Sequence, residues 1–103
     1  MKTTLKQTNI KLSDNEQRFV TAKISSIDKF YPNIQEAHIE IEQDAHHRKG
    51  DVYRCEVNLT VPGQLIRVEK EADSVSKAVN KVKDHLKVIL SRARKKMLTK
   101  RNR

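Results

Sequence analysis

The chain has 103 residues, 36% of them apolar and 4% aromatic, and 22 Lys/Arg against 13 Asp/Glu give a formal net charge of +9. That length holds one domain with a modest aliphatic core. No stretch is apolar for long enough to span a bilayer or to act as a secretory leader. The single cysteine, Cys55, excludes an internal disulfide and fits a reducing cytoplasm.

Residues 2–7 (KTTLKQ) are β-prone and predict a strand at or near a sheet edge. Ile10 and Leu12 frame a second short extended piece. Ser13 to Glu16 reads S-D-N-E, in which the Ser13 hydroxyl can cap the Glu16 amide and the Glu16 carboxylate can reach back. The helix opened there carries Phe19, Val20, Ile24, Ile27 and Tyr31 at helical spacing. It is expected to stop before Pro32, because a residue preceding proline is pushed out of the α region. Ala37, Ile39 and Ile41 alternate with His38, Glu40 and Glu42, which predicts a strand with one buried face. Residues 44–51 (DAHHRKGD) read as a polar loop. Tyr53, Cys55, Val57, Leu59 and Val61 then alternate with Arg54, Glu56, Asn58 and Thr60, the strongest strand pattern in the chain. Pro62-Gly63 is a turn. Ile66, Val68 and Ala72 face inward on the next strand.

Residues 74–96 form the last element. Val75, Val79, Val82, Leu86, Ile89, Ala93 and Met97 recur at steps of three and four, and Ala78 and Leu90 widen this stripe to suit packing on a sheet. The opposite face is cationic, with Lys77, Lys81, Lys83, Lys87, Arg92, Arg94, Lys95 and Lys96. Asp84 is expected to pair with neighbours such as Lys81 and Lys87. Residues 74–103 hold 11 Lys/Arg and 1 Asp, a net of +10, whereas residues 1–73 hold 11 Lys/Arg and 12 Asp/Glu, a net of −1. The excess charge therefore lies in the final segment.

The order strand, helix, three strands, helix predicts an α+β two-layer β-α-β-β-β-α sandwich. The last three strands should form an antiparallel meander. The first strand should lie parallel to the second, joined to it through the helix. The open sheet face would carry His38, Glu40, Glu42, Arg54, Glu56, Asn58 and Thr60, with Glu40 and Glu42 solvated. The domain is placed at residues 1–98, with residues 99–103 as a basic tail.

No catalytic constellation is present. The adjacent His46 and His47 lack the spacing of a metal site, and neither a CxxC nor an HExxH motif occurs, so no metal, cofactor or small-molecule substrate is expected. Cys55 reads as a buried structural thiol. The basic helix has no Trp or Phe to anchor it in a membrane surface, and its apolar face is needed for the core. Positive charge segregated onto one element points to nucleic acid. Phe19, Phe30 and Tyr31 sit on or near the first helix's buried face, which argues against a base-stacking platform. Cations meeting phosphates, with shape selecting the target, fit better, and folded RNA is usually met in this way.

The segments RFVTAKISSIDKFYPNI (18–34), VNLTVPG (57–63) and EADSVSKAVNKVKDHLKVIL (71–90), in this order and spacing, resemble the bacterial ribosome hibernation promoting factors. That group includes ribosome-associated inhibitor A and was once called sigma-factor modulation proteins. The resemblance covers nearly the whole chain. It implies the β-α-β-β-β-α fold, similar to double-stranded RNA-binding domains. It also implies a non-enzymatic, cytoplasmic translation inhibitor of stress or stationary phase, seated on the small ribosomal subunit where messenger and transfer RNA would lie. By position, Lys23 matches a helix lysine of the family, and Arg92, Arg94 and Lys96 match basic positions on its last helix. Lys77, Lys81, Lys83, Lys87 and Lys95 complete the expected rRNA-binding set on charge alone. Ser76 and Asn80 stand where the family has Tyr and Asp. The chain is similar to the short members that lack a dimerising second domain, and is expected to be monomeric when free. The rival readings are a general module for double-stranded or structured RNA, and a helix-mediated protein-interaction module. For the second, Lys83, His85 and Arg92 beside the apolar seam would repel a like partner.

Overall fold

The computed structural model describes residues 1–44, 50 and 52–101, with side chains of the last helix as far as Leu98. Strand β1 (Lys2–Thr8) leads through Asn9, held at a positive φ of 56°, into helix α1 (Asp14–Ser25). No strand forms around Ile10 and Leu12. Leu12 is instead a buried core residue whose amide is tied to Gln7 Oε1 at 2.6 Å. The capping box is present: Glu16 N donates to Ser13 Oγ at 3.1 Å and Ser13 N to Glu16 Oε1 at 3.0 Å. The α-helix ends earlier than its apolar spacing suggested. It tightens into a 3-10 turn over Ser26–Phe30, where Ser26 Oγ donates to Lys23 O at 2.6 Å. Tyr31 is extended (φ −153°, ψ 131°), as a residue before proline must be.

Three further strands follow: β2 (Glu36–Asp44), β3 (Val52–Val61) and β4 (Gln64–Ala72). Their order in the sheet is β1-β2-β3-β4, with β1 parallel to β2 and the other two pairs antiparallel, as the element order predicts. Leu5, Ile39, Val57 and Val68 meet side by side across this sheet, with Ile41–Cys55 and Leu59–Ile66 flanking them. The β3–β4 turn needs Gly63, whose φ of 75° other residues rarely adopt. The His46–His47 pair lies outside the described residues.

Helix α2 (Val75–Arg101) packs on β3 and β4 and touches α1 and the 3-10 turn, so both helices cover one face of the sheet. Ala78, Val79, Val82, Leu86 and Leu90 are buried, whereas Val75, Ile89, Ala93 and Met97 are half-buried. Burying such aliphatic side chains stabilises the fold by about 1.5–3 kcal/mol each. The stripe that a helical partner would use is thus covered by the protein's own sheet. No polar side chain is buried among the described residues. At 27 residues, α2 is about 40 Å long. A strand of nine or ten residues spans about 30 Å. No α2 residue beyond Leu90 is fully buried among those described, and the helix projects past the sheet, giving a molecule 53 × 26 × 18 Å.

Candidate nucleic-acid interface

The two faces of the molecule differ in charge. On the open sheet face, Arg54 sits among four carboxylates: Glu40 (2.7 Å), Glu56 (3.0 Å), Glu42 (3.4 Å) and Glu69 (3.8 Å). Arg67 joins Glu56 at 3.0 Å and Glu69 at 3.1 Å, and Lys6 lies 3.8 Å from Glu40. Glu40 and Glu42 are therefore not simply solvated. The β2–β3 register places Glu42 opposite Arg54, and Glu40 opposite Glu56, so the guanidinium bridges the two strands. Hydrogen bonds from Arg54 and Thr8 hold Glu40 below its ordinary pKa, and those from Asn58 and Arg67 do the same for Glu56. Burial opposes the Arg54 charge, but its bonds to Glu40 and Glu42 raise its pKa overall. His38 bridges Thr4 Oγ1 (2.6 Å) and Glu36 (2.8 Å) nearby.

Two lowered carboxyl pKa values fix the sign of a pH dependence. Their contribution to stability is complete above 4.5, the ordinary glutamate value, and is lost as pH falls through the lowered values. Arg54→Met should cost about 2 kcal/mol at neutral pH, because it leaves several part-buried carboxylates uncompensated. Its deficit against the parent should shrink on acidification, since protonation relieves that repulsion. Urea unfolding at neutral and acidic pH measures both. A deficit independent of pH would show that the network does not set the cost.

The cations of α2 form two rows rather than one face. At 3.6 residues per turn, Lys81 and Arg92 lie on one flank of the apolar stripe, with Lys77 and Lys95 nearer the crest on that side and Lys96 in line with Ala78 at the stripe's edge, and Lys83, Lys87 and Arg94 lie on the other flank. Asn80, Asp84, Val88 and Ser91 make the crest between them. The first row lies toward β4 and is partly engaged. Lys77 pairs with Asp73 at 3.0 Å, and Lys81 Nζ donates to the Glu71 carbonyl at 3.1 Å. The second row faces the 3-10 turn, where Lys87 Nζ lies 5.4 Å from the Phe30 ring centre. Asp84 is exposed and makes no ion pair among the described residues, contrary to the expected pairing with Lys81 and Lys87. Lys23, on α1, lies 5.7 Å from the Phe19 ring centre, one turn earlier on its own helix. Arg92, Arg94, Lys95 and Lys96 are exposed on the projecting part of α2.

Sequence reasoning missed Lys29, whose Nζ lies 5.3 Å from the Phe30 ring centre. Its signal is local: Lys-Phe just ahead of the pre-proline Tyr31, on a segment that must turn away from its helix. Ser76 stands at a cleft lined by Phe19, Tyr53 and Val75. Cys55 is fully buried and its thiol is pushed up to about 12 by desolvation, which removes it as a nucleophile. Among the described residues no group of His, Cys, Asp or Glu could hold a metal ion, and no helix is long and apolar enough to cross a membrane.

This arrangement, a mixed four-stranded sheet with two helices across one face, recurs in solved structures. The N-terminal domain of Thermus thermophilus Protein Y is similar, with a TM-score of 0.76 at 22% identity over 89% of this chain and 98% of that one. A ribosomal subunit interface protein from Coxiella burnetii is similar too, with a TM-score of 0.76 at 18% identity over 91% of this chain and 98% of that one. A comparison with curated protein sequences finds no match. The profile of the family described as Sigma 54 modulation protein / S30EA ribosomal protein matches residues 3–98, and the chain belongs to that family. This is the ribosome-associated, hibernation-factor group that the sequence resembles, and its members are non-catalytic factors.

Proposed function

We propose that the protein is a cytoplasmic ribosome hibernation factor that inhibits translation under stress or in stationary phase. It binds the small ribosomal subunit through rRNA phosphates and occludes the path of transfer and messenger RNA. The observation that carries this reading is the segregation of charge in a chain of this family. Most of the +10 of residues 74–103 is borne by α2, while the opposite sheet face carries carboxylates paired internally through Arg54. A polyanion is attracted to one side only. Contacts with phosphates release condensed counterions, which supplies affinity without reading bases, and the rigid sandwich supplies the shape that selects folded RNA. In this reading residues 1–98 are the binding domain, residues 99–103 are a basic tail that adds to the positive charge, and the free protein is a monomer.

The test is competition on purified small subunits. Protein bound beforehand should block the binding of labelled transfer and messenger RNA, and an excess of plain duplex RNA should not displace it. Displacement by duplex RNA at equal phosphate concentration would point instead to a general RNA-binding module. Transfer RNA binding undiminished on saturated subunits would refute occlusion.

A further inference from the structure

Two lysines from different elements converge on one aromatic ring. Lys29 belongs to the 3-10 turn and Lys87 to the middle of α2, and their amino groups lie 5.3 and 5.4 Å from the centre of the Phe30 ring. Phe30 is half-buried and packs against the core, so the ring is a fixed platform. Neither amino group has a carboxylate partner among the described residues. Two other lysines are oriented by carboxylates instead: Lys77 by Asp73 at 3.0 Å, and Lys6 by Glu40 at 3.8 Å.

The difference in partner has a chemical consequence. A carboxylate that orients a lysine also cancels its charge and competes with any incoming anion. The face of a benzene ring attracts an ammonium through its quadrupole but carries no net charge. It can therefore hold a flexible side chain in place and leave its full charge available. Lys83 lies about one turn before Lys87 on the same flank of α2 and extends the positive potential along it.

We propose that Lys29 and Lys87 form a clamp for the phosphodiester backbone of structured RNA, with Phe30 as the positioning residue that holds both cations. The proposal rests on the RNA-binding reading above and deepens it. The interface then spans α2 and the 3-10 turn on the side away from β4, and it includes a lysine outside the last helix.

The experiment measures affinity for purified small ribosomal subunits by sedimentation, with a thermal melt of each variant. Phe30→Leu keeps an apolar filler but removes the ring face, and should weaken binding about threefold to tenfold. Phe30→Tyr keeps the ring and should bind as the parent does. In a Lys29→Gln/Lys87→Gln background, adding Phe30→Leu should cost nothing further. Lys29→Gln alone is a surface change with no folding cost, and should weaken binding about as much as Lys87→Gln. Parental affinity in Lys29→Gln or Phe30→Leu would overturn the clamp. So would an equal loss from Phe30→Leu with and without the lysines, because that loss would come from packing. Failure of the underlying RNA reading is distinguishable, since then the parent itself does not bind the subunits or binds them independently of salt. In the free protein, the ε-methylene protons of Lys29 and Lys87 should show a ring-current shift in the NMR spectrum that Phe30→Leu abolishes. Its absence from the parent spectrum would also overturn the clamp.

Discussion

Val57→Asp should abolish the cooperative fold. Val57 is fully buried and lies between Ile39 on β2 and Val68 on β4, in the row that joins all four strands. Among the described residues no polar side chain is buried that could meet a carboxylate. A carboxyl group placed there costs several kcal/mol whether it stays ionised without a partner or takes up a proton. Domains of this size are stable by about 5–15 kcal/mol in total, so the loss removes much or all of that margin. The measurement is thermal and urea unfolding followed by circular dichroism. A cooperative melt close to the parental midpoint would show that the strand is not central. Val57→Ala, which only leaves a cavity, should give a smaller loss of about 1–3 kcal/mol and a melt that stays cooperative.

The elements that were legible in the sequence are those whose periods are fixed by backbone geometry. Alternation from Tyr53 to Val61 identified β3 and its inner face, and the three- and four-residue steps from Val75 identified α2. The Ser13–Glu16 box marked the start of α1 because its bonds are local. The end of α1 was less legible. Ile24, Ile27 and Tyr31 keep a spacing that an α-helix and a 3-10 turn nearly share, so the change at Ser26 left no trace in the pattern.

The candidate site was legible in charge but not in geometry. Composition placed the cations on the last helix. It did not show that they divide into a row toward β4, partly engaged by Asp73 and Glu71, and a row toward Phe30. That division depends on which neighbour flanks each side of the helix, and neighbours are set by tertiary packing. The Arg54 network is similar. Alternation puts Glu40, Glu42 and Arg54 on one face. Only the β2–β3 register brings their side chains together.

Charge in the fold is thus arranged in opposition: an internally paired acidic sheet face and a projecting helix rich in cations. The consequence is directional binding, in which the position of a cation matters more than its number. Arg92, Arg94 and Lys96 lie beyond Leu90, the last fully buried residue of α2 among those described, and are exposed. Their replacement by glutamine keeps good helix formers and leaves the core intact. Exposed charges of one sign mostly repel one another, so stability should hardly change. Lys2, Lys6 and Lys11 are also exposed, lie on β1 and the segment after it, and carry the same summed charge.

The deciding measurement is the affinity of these two triple-glutamine variants for purified small ribosomal subunits across a range of salt concentrations. The helix variant should bind at least about tenfold more weakly, and the slope of log affinity against log salt should fall by about 2, since each lost phosphate contact removes 0.7–0.9. The β1-side variant should keep nearly parental affinity and slope. Equal losses in both would mean that only net charge matters, and parental binding by the helix variant would contradict the assignment of the RNA interface to α2.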